Sequence, residues 1–149
     1  VLQRVTLVDS SGDVRDTYKV EESVRIVLRY RVNQPTKSLR LVVQFRTSNG
    51  TIAFSAYEDS SVTEGAKVSP GGYEAVCEVP SNLLNADTYG VWVAIDQPKL
   101  KVIMPPTPVV KAQILESSTH YRYHRPPPGA VRPELKWITC ALSRNRDEP

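Results

Sequence analysis

The two histidines, His120 and His124, are the residues in this chain best suited to acid–base or metal chemistry. Their four-residue spacing would place both imidazoles on one face of a helix, where they could share a metal ion. The three prolines at 126–128 oppose a helix at this point. The sequence therefore predicts no metal site here.

The carboxylates and glycines form no catalytic pattern either. Glu58, Asp59 and Glu64 fall in one polar loop, which is typical of a solvated surface. The Gly71-Gly72 pair lacks the lysine and the helix that cradle phosphates, and motifs of serine hydrolases or zinc proteases are absent from the sequence. We therefore predict a domain that is not an enzyme and needs no cofactor.

A different set of residues combines aromatic rings with hydrogen-bonding groups. Aromatic rings beside amides and charged groups form a candidate ligand-binding set. Trp92 could instead be covered by a loop or by the exchanged C-terminal arm described below, and Tyr57 could anchor the loop that follows it. The set consists of Arg40, Gln44, Arg46, Ser55, Tyr57, Trp92, Asp96, Lys111 and Gln113.

Strict alternation of apolar and polar residues predicts that these side chains lie on β-strands. The runs 24–32, 39–46, 52–57, 73–79 and 89–96 each have one apolar face, and helical periodicity is almost absent. Ile52, Phe54 and Ala56 are expected in the core. Ser48-Asn-Gly50 predicts a hairpin turn.

Short strands with frequent turns favour an all-β fold, an immunoglobulin-like or jelly-roll β-sandwich. In such a sandwich the strand 38–47 should neighbour the strand 88–96, which turns the predicted binding residues toward one outer face. Arg25, Arg29 and Arg31 are expected on a solvated face of the opposite sheet. We expect a break at 104–108 before a last body strand over 109–116.

Composition limits the other classes of function. The 149 residues fit one domain, and 19 basic against 16 acidic residues leave a charge of +3, too weak for a nucleic-acid surface. No apolar run approaches the roughly 20 residues of a membrane-spanning helix, and these residues contain no basic segment followed by an apolar run and a small-residue cleavage site. Because the sequence enters a strand almost at once, we expect a fragment of a longer polypeptide. Cys77 and Cys140 leave the disulfide state open.

An apolar segment follows the sandwich and a proline-rich linker. We predict a β-sandwich domain over residues 1–116, which is the part that carries the candidate ligand-binding set, a linker arm over 117–128, an exchanged strand over 129–142 and a disordered tail over 143–149. Because the linker favours extended geometry, the strand is expected to dock on a second copy of the chain. Val131, Leu135 and Trp137 are the predicted dimer contacts.

Five segments together resemble the C-terminal domain of Wzt-type ATP-binding proteins, which serve ABC transporters that export O-antigen and related polysaccharides. They are residues 5–12, 46–54, 79–84, 89–95 and 129–137, the last ending in Val-Arg-Pro-Glu-Leu-Lys-Trp. The resemblance spans roughly residues 1–137. Their order and spacing carry the resemblance, since the turns at Asp9–Gly12 and Ser48–Gly50 are generic.

The resemblance implies a non-catalytic, cytoplasmic domain that recognises the modified, non-reducing end of an exported O-antigen. It thereby implies that the candidate ligand-binding set is a carbohydrate-binding face, because an aromatic ring can stack under the C–H face of a pyranose while amides and charged groups bond its hydroxyls. The predicted carbohydrate-binding residues are therefore Arg40, Gln44, Arg46, Ser55, Tyr57, Trp92, Asp96, Lys111 and Gln113.

The resemblance also implies a homodimer with exchanged terminal strands, attached near the inner membrane through an ATPase domain that contacts the permease. The proline-rich linker is longer than the resemblance implies. Two alternatives remain open: a sandwich that pairs an exposed strand edge with a protein partner, and a secreted carbohydrate-binding module.

Overall fold

Ten β-strands form the regular structure of the part of the chain described by the computed structural model, residues 1–58, 67–117, 128–133 and 135–142. No helix in these residues is long and apolar enough to cross a bilayer. The strands are β1 (Leu2–Val8), β2 (Thr17–Lys19), β3 (Val24–Val32), β4 (Thr36–Lys37), β5 (Arg40–Arg46), β6 (Ile52–Tyr57), β7 (Lys67–Val68), β8 (Gly71–Val79), β9 (Asp87–Gln97) and β10 (Lys101–Leu115).

Two sheets pack face to face around one main core. One has the order β1-β3-β8 and the other β2-β10-β9-β5-β6, while β4 and β7 form a small separate pair. Side chains from both sheets, among them Ile26, Leu28, Phe45 and Val91, join a single buried cluster. The predicted all-β sandwich is therefore confirmed.

The alternation in β3 separates a dry face from a charged face as predicted. Val24, Ile26 and Leu28 are at most 2% exposed. On the opposite face Arg25 and Arg29 pair with Glu78 and Glu74 of β8, at 3.2 and 2.8 Å. Such exposed pairs contribute at most about 1 kcal/mol each, so the buried face determines the register.

The hairpin of β5 and β6 follows the predicted register with one correction. Phe54 stacks on Phe45 in the core, with 4.8 Å between ring centroids. Ile52, expected in the core, is 49% exposed. A register shift between Phe45 and Arg46 explains the difference, because a bulge changes the face on which the following residues project.

The predicted break at residues 104–108 is wrong, because β10 continues through it. Shifts in the β9–β10 register fall at Met104 and around Pro108, so the prolines lie at irregular points of the ladder. The strand β2, which was not predicted, covers the other edge of β10 only at Gln113–Leu115. The prolines therefore face an open edge, where a missing N–H is tolerated.

Residues 128–133, here called the terminal ribbon, lie against the loop between β8 and β9. Val131 forms an antiparallel bridge with Leu84, and the Arg132 N–H donates to the Leu83 carbonyl at 2.6 Å. The Arg132 guanidinium holds the Glu116 carboxylate with two hydrogen bonds, one of 2.8 Å. The histidine pair, most of the linker and the tail 143–149 lie outside the described residues.

Both cysteines are free thiols. Cys77 is partly buried, which raises the pKa of its thiol, and Cys140 is exposed. No disulfide links the two cysteines within this single chain.

One charged cluster makes the free energy of unfolding depend on pH in the acidic range. Arg15 donates to Glu22 at 2.6 Å and approaches Asp9 at 3.4 Å. Its hydrogen bond lowers the pKa of Glu22 below 4.5, and the backbone N–H of Asp13, with help from Arg15, lowers the pKa of Asp9 below 3.8. Groups with a lowered folded-state pKa stabilise the fold above the unfolded value and lose that contribution as the pH falls.

We expect the thermal unfolding midpoint to change little from pH 7 to about pH 5 and to fall below about pH 4.5. The Arg15→Gln variant should show a shallower fall, because its carboxylates lose the partner that depresses their pKa. Circular dichroism melts over a pH series measure both curves. Parallel curves for the two proteins would contradict the role of Arg15.

Candidate functional site

The outward face of the five-stranded sheet brings the predicted binding residues together. Strand β5 lies between β6 and β9, and β10 follows β9. The residues of this face pair in rows across the strands. The rows are Ser55–Gln44–Trp92–Pro108, Arg46–Gly90–Lys111 and Thr88–Gln113. The prediction that strands 38–47 and 88–96 are neighbours is correct.

Trp92 is held on this face by two neighbours. The guanidinium carbon of Arg46 lies 3.7 Å from the centroid of the indole ring, a stacked cation–π contact. The backbone of Gly90 lies directly beside the indole, since a Cβ at Gly90 would stand 3.1 Å from Trp92 Nε1. Trp92 is partly buried rather than enclosed in the core. Its ring therefore has a defined orientation at the surface.

Arg46 is positioned by a second contact in the same row. Its Nη2 donates to Gln44 Oε1 at 3.0 Å. Its Nε is buried without a hydrogen-bond partner among the described residues. A buried donor without a partner destabilises a fold by about 1–3 kcal/mol. The contacts of Arg46 with Trp92 and Gln44 must offset this penalty.

A second arginine–aromatic pair lies farther along the face. The Arg40 guanidinium stands 4.5 Å from the ring centroid of Tyr57. Its Nε and Nη2 donate to the two carboxylate oxygens of Asp96 at 2.8 and 2.6 Å. The hydrogen bond to Asp96 raises the pKa of Arg40. Arg40 and Asp96 thus brace each other and hold Tyr57, which is 54% exposed.

Between the two pairs the face is closed at its base and polar at its surface. Val42 and Ala94 point outward but are only 7% and 9% exposed, so longer neighbours cover them. Ser55 is exposed and Gln44 is partly buried, so the surface here is polar.

Two further predicted residues lie beyond the Trp92 row, on β10. Lys111 is exposed opposite Gly90, and Gln113 is exposed opposite Thr88. The face therefore offers rings, amides, a hydroxyl and positive charge on one rigid sheet.

Gly90 is the residue of this face that the sequence analysis missed. A glycine inside a strand often marks a close approach of another group, and this signal was present at position 90. The arginine stacking also went unpredicted, because it depends on the exact register between β5 and β9. Among the described residues, no three metal-ligating side chains cluster.

Replacing Gly90 by valine should displace the indole, because the new Cβ would stand only 3.1 Å from Trp92 Nε1 and the two valine methyl groups need further room beside it. In a Trp137→Phe background Trp92 is the single tryptophan, and its fluorescence should move to longer wavelength as water reaches the ring. Gly72→Val on β8 is the matched control, because a Cβ at Gly72 meets nothing within 4 Å. An unchanged emission spectrum for Gly90→Val would refute the close approach.

The fold and this face define a class of protein, a β-sandwich domain with arginine–aromatic pairs on the outward face of one sheet. Among solved structures, the chain is similar to the "C-terminal domain of wzt", with a TM-score of 0.68 and 11% sequence identity. The match covers 93% of this chain and 83% of that chain. It confirms the fold that the sequence resemblance implied. No family model and no curated protein matches the sequence.

Proposed function

We propose that this domain is a non-catalytic module that recognises an O-antigen polysaccharide for export by an ABC transporter. The supporting observation is the outward face of the five-stranded sheet, where Trp92 and Tyr57 stand beside arginines on a Wzt-like fold. The modified, non-reducing end of the polymer is the part we propose as ligand, in line with the family resemblance.

The chemistry of the face suits a sugar chain. The Ser55–Gln44–Trp92 row crosses three strands, so it spans roughly 10 Å. Because Arg46 already stacks on one face of the indole, 3.7 Å from its centroid, the pyranose ring is proposed to stack on the opposite face, with Gln44 and Ser55 as donors and acceptors beside it. Because Arg46 fixes the indole before binding, little ordering entropy is lost when a sugar stacks there.

The proposed assembly is a dimer with exchanged terminal strands. Leu135, Trp137, Ile138 and Leu142 are 70%, 88%, 90% and 94% exposed in the single chain. Apolar side chains of this size favour burial against another surface, and a second copy is the surface we propose. The partners we propose beyond it are the ATPase domain of the same polypeptide and the membrane permease, which place the module in the cytoplasm at the inner membrane.

A pull-down with the surface polysaccharide of the source organism tests the function. The chain should retain this polymer and release it in competition with soluble polymer, and an unrelated dextran should not be retained. Retention of a protein partner without any polymer would favour the alternative, a module that pairs an open strand edge. Strand β6 offers such an edge, since it pairs on one side with β5.

A further inference from the structure

A cavity of about 320 Å³ lies at one end of the sandwich, outside the residues assigned above. It is open to solvent on one side, and three separate segments border it: the β5–β6 turn, residues 85–89 at the start of β9, and the terminal ribbon. Its volume falls within the range of small-ligand sites. Because Thr47 directly follows Arg46, and Asp87 is three residues before Gly90, the cavity continues the strands that carry Trp92.

The cavity is lined by polar groups that are already held in place. Asp87 accepts hydrogen bonds from the N–H groups of Ser48 and Thr88, at 3.2 and 2.7 Å. Partial burial raises the pKa of Asp87, but a hydrogen bond from the Ser48 side chain, together with the two backbone hydrogen bonds, outweighs this effect and lowers the pKa of the carboxyl. The Thr51 N–H lies 3.2 Å from Thr47 Oγ1 and 3.3 Å from Asn49 Oδ1.

This chemistry selects among ligands. Hydroxyls, an amide and an ionised carboxylate at fixed positions can satisfy the several donors and acceptors of a sugar ring. None of the described residues lining the cavity is basic. The cation nearest to the lining, Arg132, bonds Asn85 and is neutralised by its ion pair with Glu116. An anionic sugar would therefore meet the charge of Asp87 against a cation that is already paired, whereas a neutral sugar could donate a hydroxyl to Asp87.

The terminal ribbon forms one wall of the cavity and is held there by hydrogen bonds. The Asn85 side-chain amide donates to the Gly129 carbonyl, and the Asn85 N–H donates to the Ala130 carbonyl at 3.0 Å. The Tyr89 hydroxyl lies 2.9 Å from the same Ala130 carbonyl. A ligand that touches this wall binds the docked ribbon better than the released one, so ligand binding and ribbon docking must reinforce each other.

We propose that this cavity is a second saccharide subsite, specific for a neutral sugar ring, and that the terminal ribbon completes it. The inference deepens the proposed function and rests on it. If the ribbon comes from a second copy, each subsite contains residues of two chains. Dimer assembly and sugar binding are then one linked equilibrium.

Amide NMR of the full chain tests the subsite, with neutral methyl glycosides of mannose, glucose, galactose and rhamnose as probes and methyl glucuronide as the anionic comparison. A neutral glycoside should shift the amides of Gly50, Asp87 and Ala130, and the glucuronide should not. Thr51→Val should weaken this binding about tenfold by removing an exposed hydroxyl. Thr36→Val on β4, which does not line the cavity, is the control and should leave this binding unchanged.

The outcomes separate the subsite from the outward face. Shifts confined to Gln44 and the Trp92 indole would overturn the subsite and leave the proposed function standing, while silence at both places would count against both. The coupling between sugar binding and ribbon docking is measured separately, by hydrogen exchange of the Arg132 N–H, which donates to the Leu83 carbonyl when the ribbon is docked. A bound glycoside should slow this exchange several-fold, and an unchanged rate beside shifted cavity amides would overturn the role of the ribbon.

Discussion

Replacing Trp92 by alanine is expected to weaken binding of the cognate polysaccharide by about 30-fold or more, which is typical of a central tryptophan in a binding surface. The change removes the stacking surface and also frees Arg46, whose guanidinium lies 3.7 Å from the indole centroid. Isothermal titration calorimetry with the polymer measures the loss.

The thermal transition of this variant should stay within a few degrees of the unmodified protein, because Trp92 points away from the core between the sheets. Val76→Ala is the control, since Val76 is a 55% exposed apolar residue on the opposite sheet. It should leave binding unchanged. If Trp92→Ala bound as tightly as Val76→Ala, the outward face would not be the binding surface.

Truncation after Leu115 is expected to yield a monomer or an aggregate with an unfolding midpoint lower by roughly 10 °C. The deletion removes Arg132 together with Glu116, and it uncovers Leu84 and the hydroxyl end of Tyr89. The lost bridge and hydrogen bonds are together worth about 3 kcal/mol. Light scattering coupled to size exclusion reports the mass, and a circular dichroism melt reports the midpoint.

Truncation after Leu142 is the matched control, because it removes the charged tail alone and keeps the exposed apolar residues of 135–142. The protein with this shorter deletion should keep the oligomeric state and the thermal unfolding midpoint of the full chain. A well-behaved dimer from the longer deletion would contradict the exchange of terminal strands.

The parts of the fold that the sequence predicts correctly are strands with one wet face and one dry face. In β3 every second residue is buried, and in β9 Tyr89, Val91, Val93 and Ile95 are, so the period of two determines both the strand and its orientation. The same parity places Trp92 and Gln44 outward. Since β5 and β9 are neighbours, the Arg40–Asp96 pair was also within reach of prediction.

The parts that the sequence does not predict depend on long-range pairing. Strand β2 has three residues and exists because it pairs in parallel with the end of β10, far along the chain. The prolines of β10 indicate a break when only local propensity is considered, yet the irregular ladder to β9 accommodates them. The contact between Val131 and Leu84 depends on the path of the chain, which composition does not specify.

The end cavity illustrates the same limit at the level of function. Local sequence indicates only a generic hairpin turn at Thr47, Asn49 and Thr51, and only the start of a strand at Asp87. Their proximity to Ala130 arises from the docking of the terminal ribbon. Local sequence therefore identified the ring-bearing face but not the pocket at its end.

Hydroxyl-radical footprinting of the chain with and without the surface polysaccharide of its source organism tests the central claim most directly. Bound polymer should protect Trp92 and Tyr57 from oxidation and leave Tyr73, on the opposite sheet, as reactive as before. Equal oxidation of Trp92 and Tyr57 in the free and polymer-saturated protein would contradict a saccharide-binding role for the outward face of the five-stranded sheet.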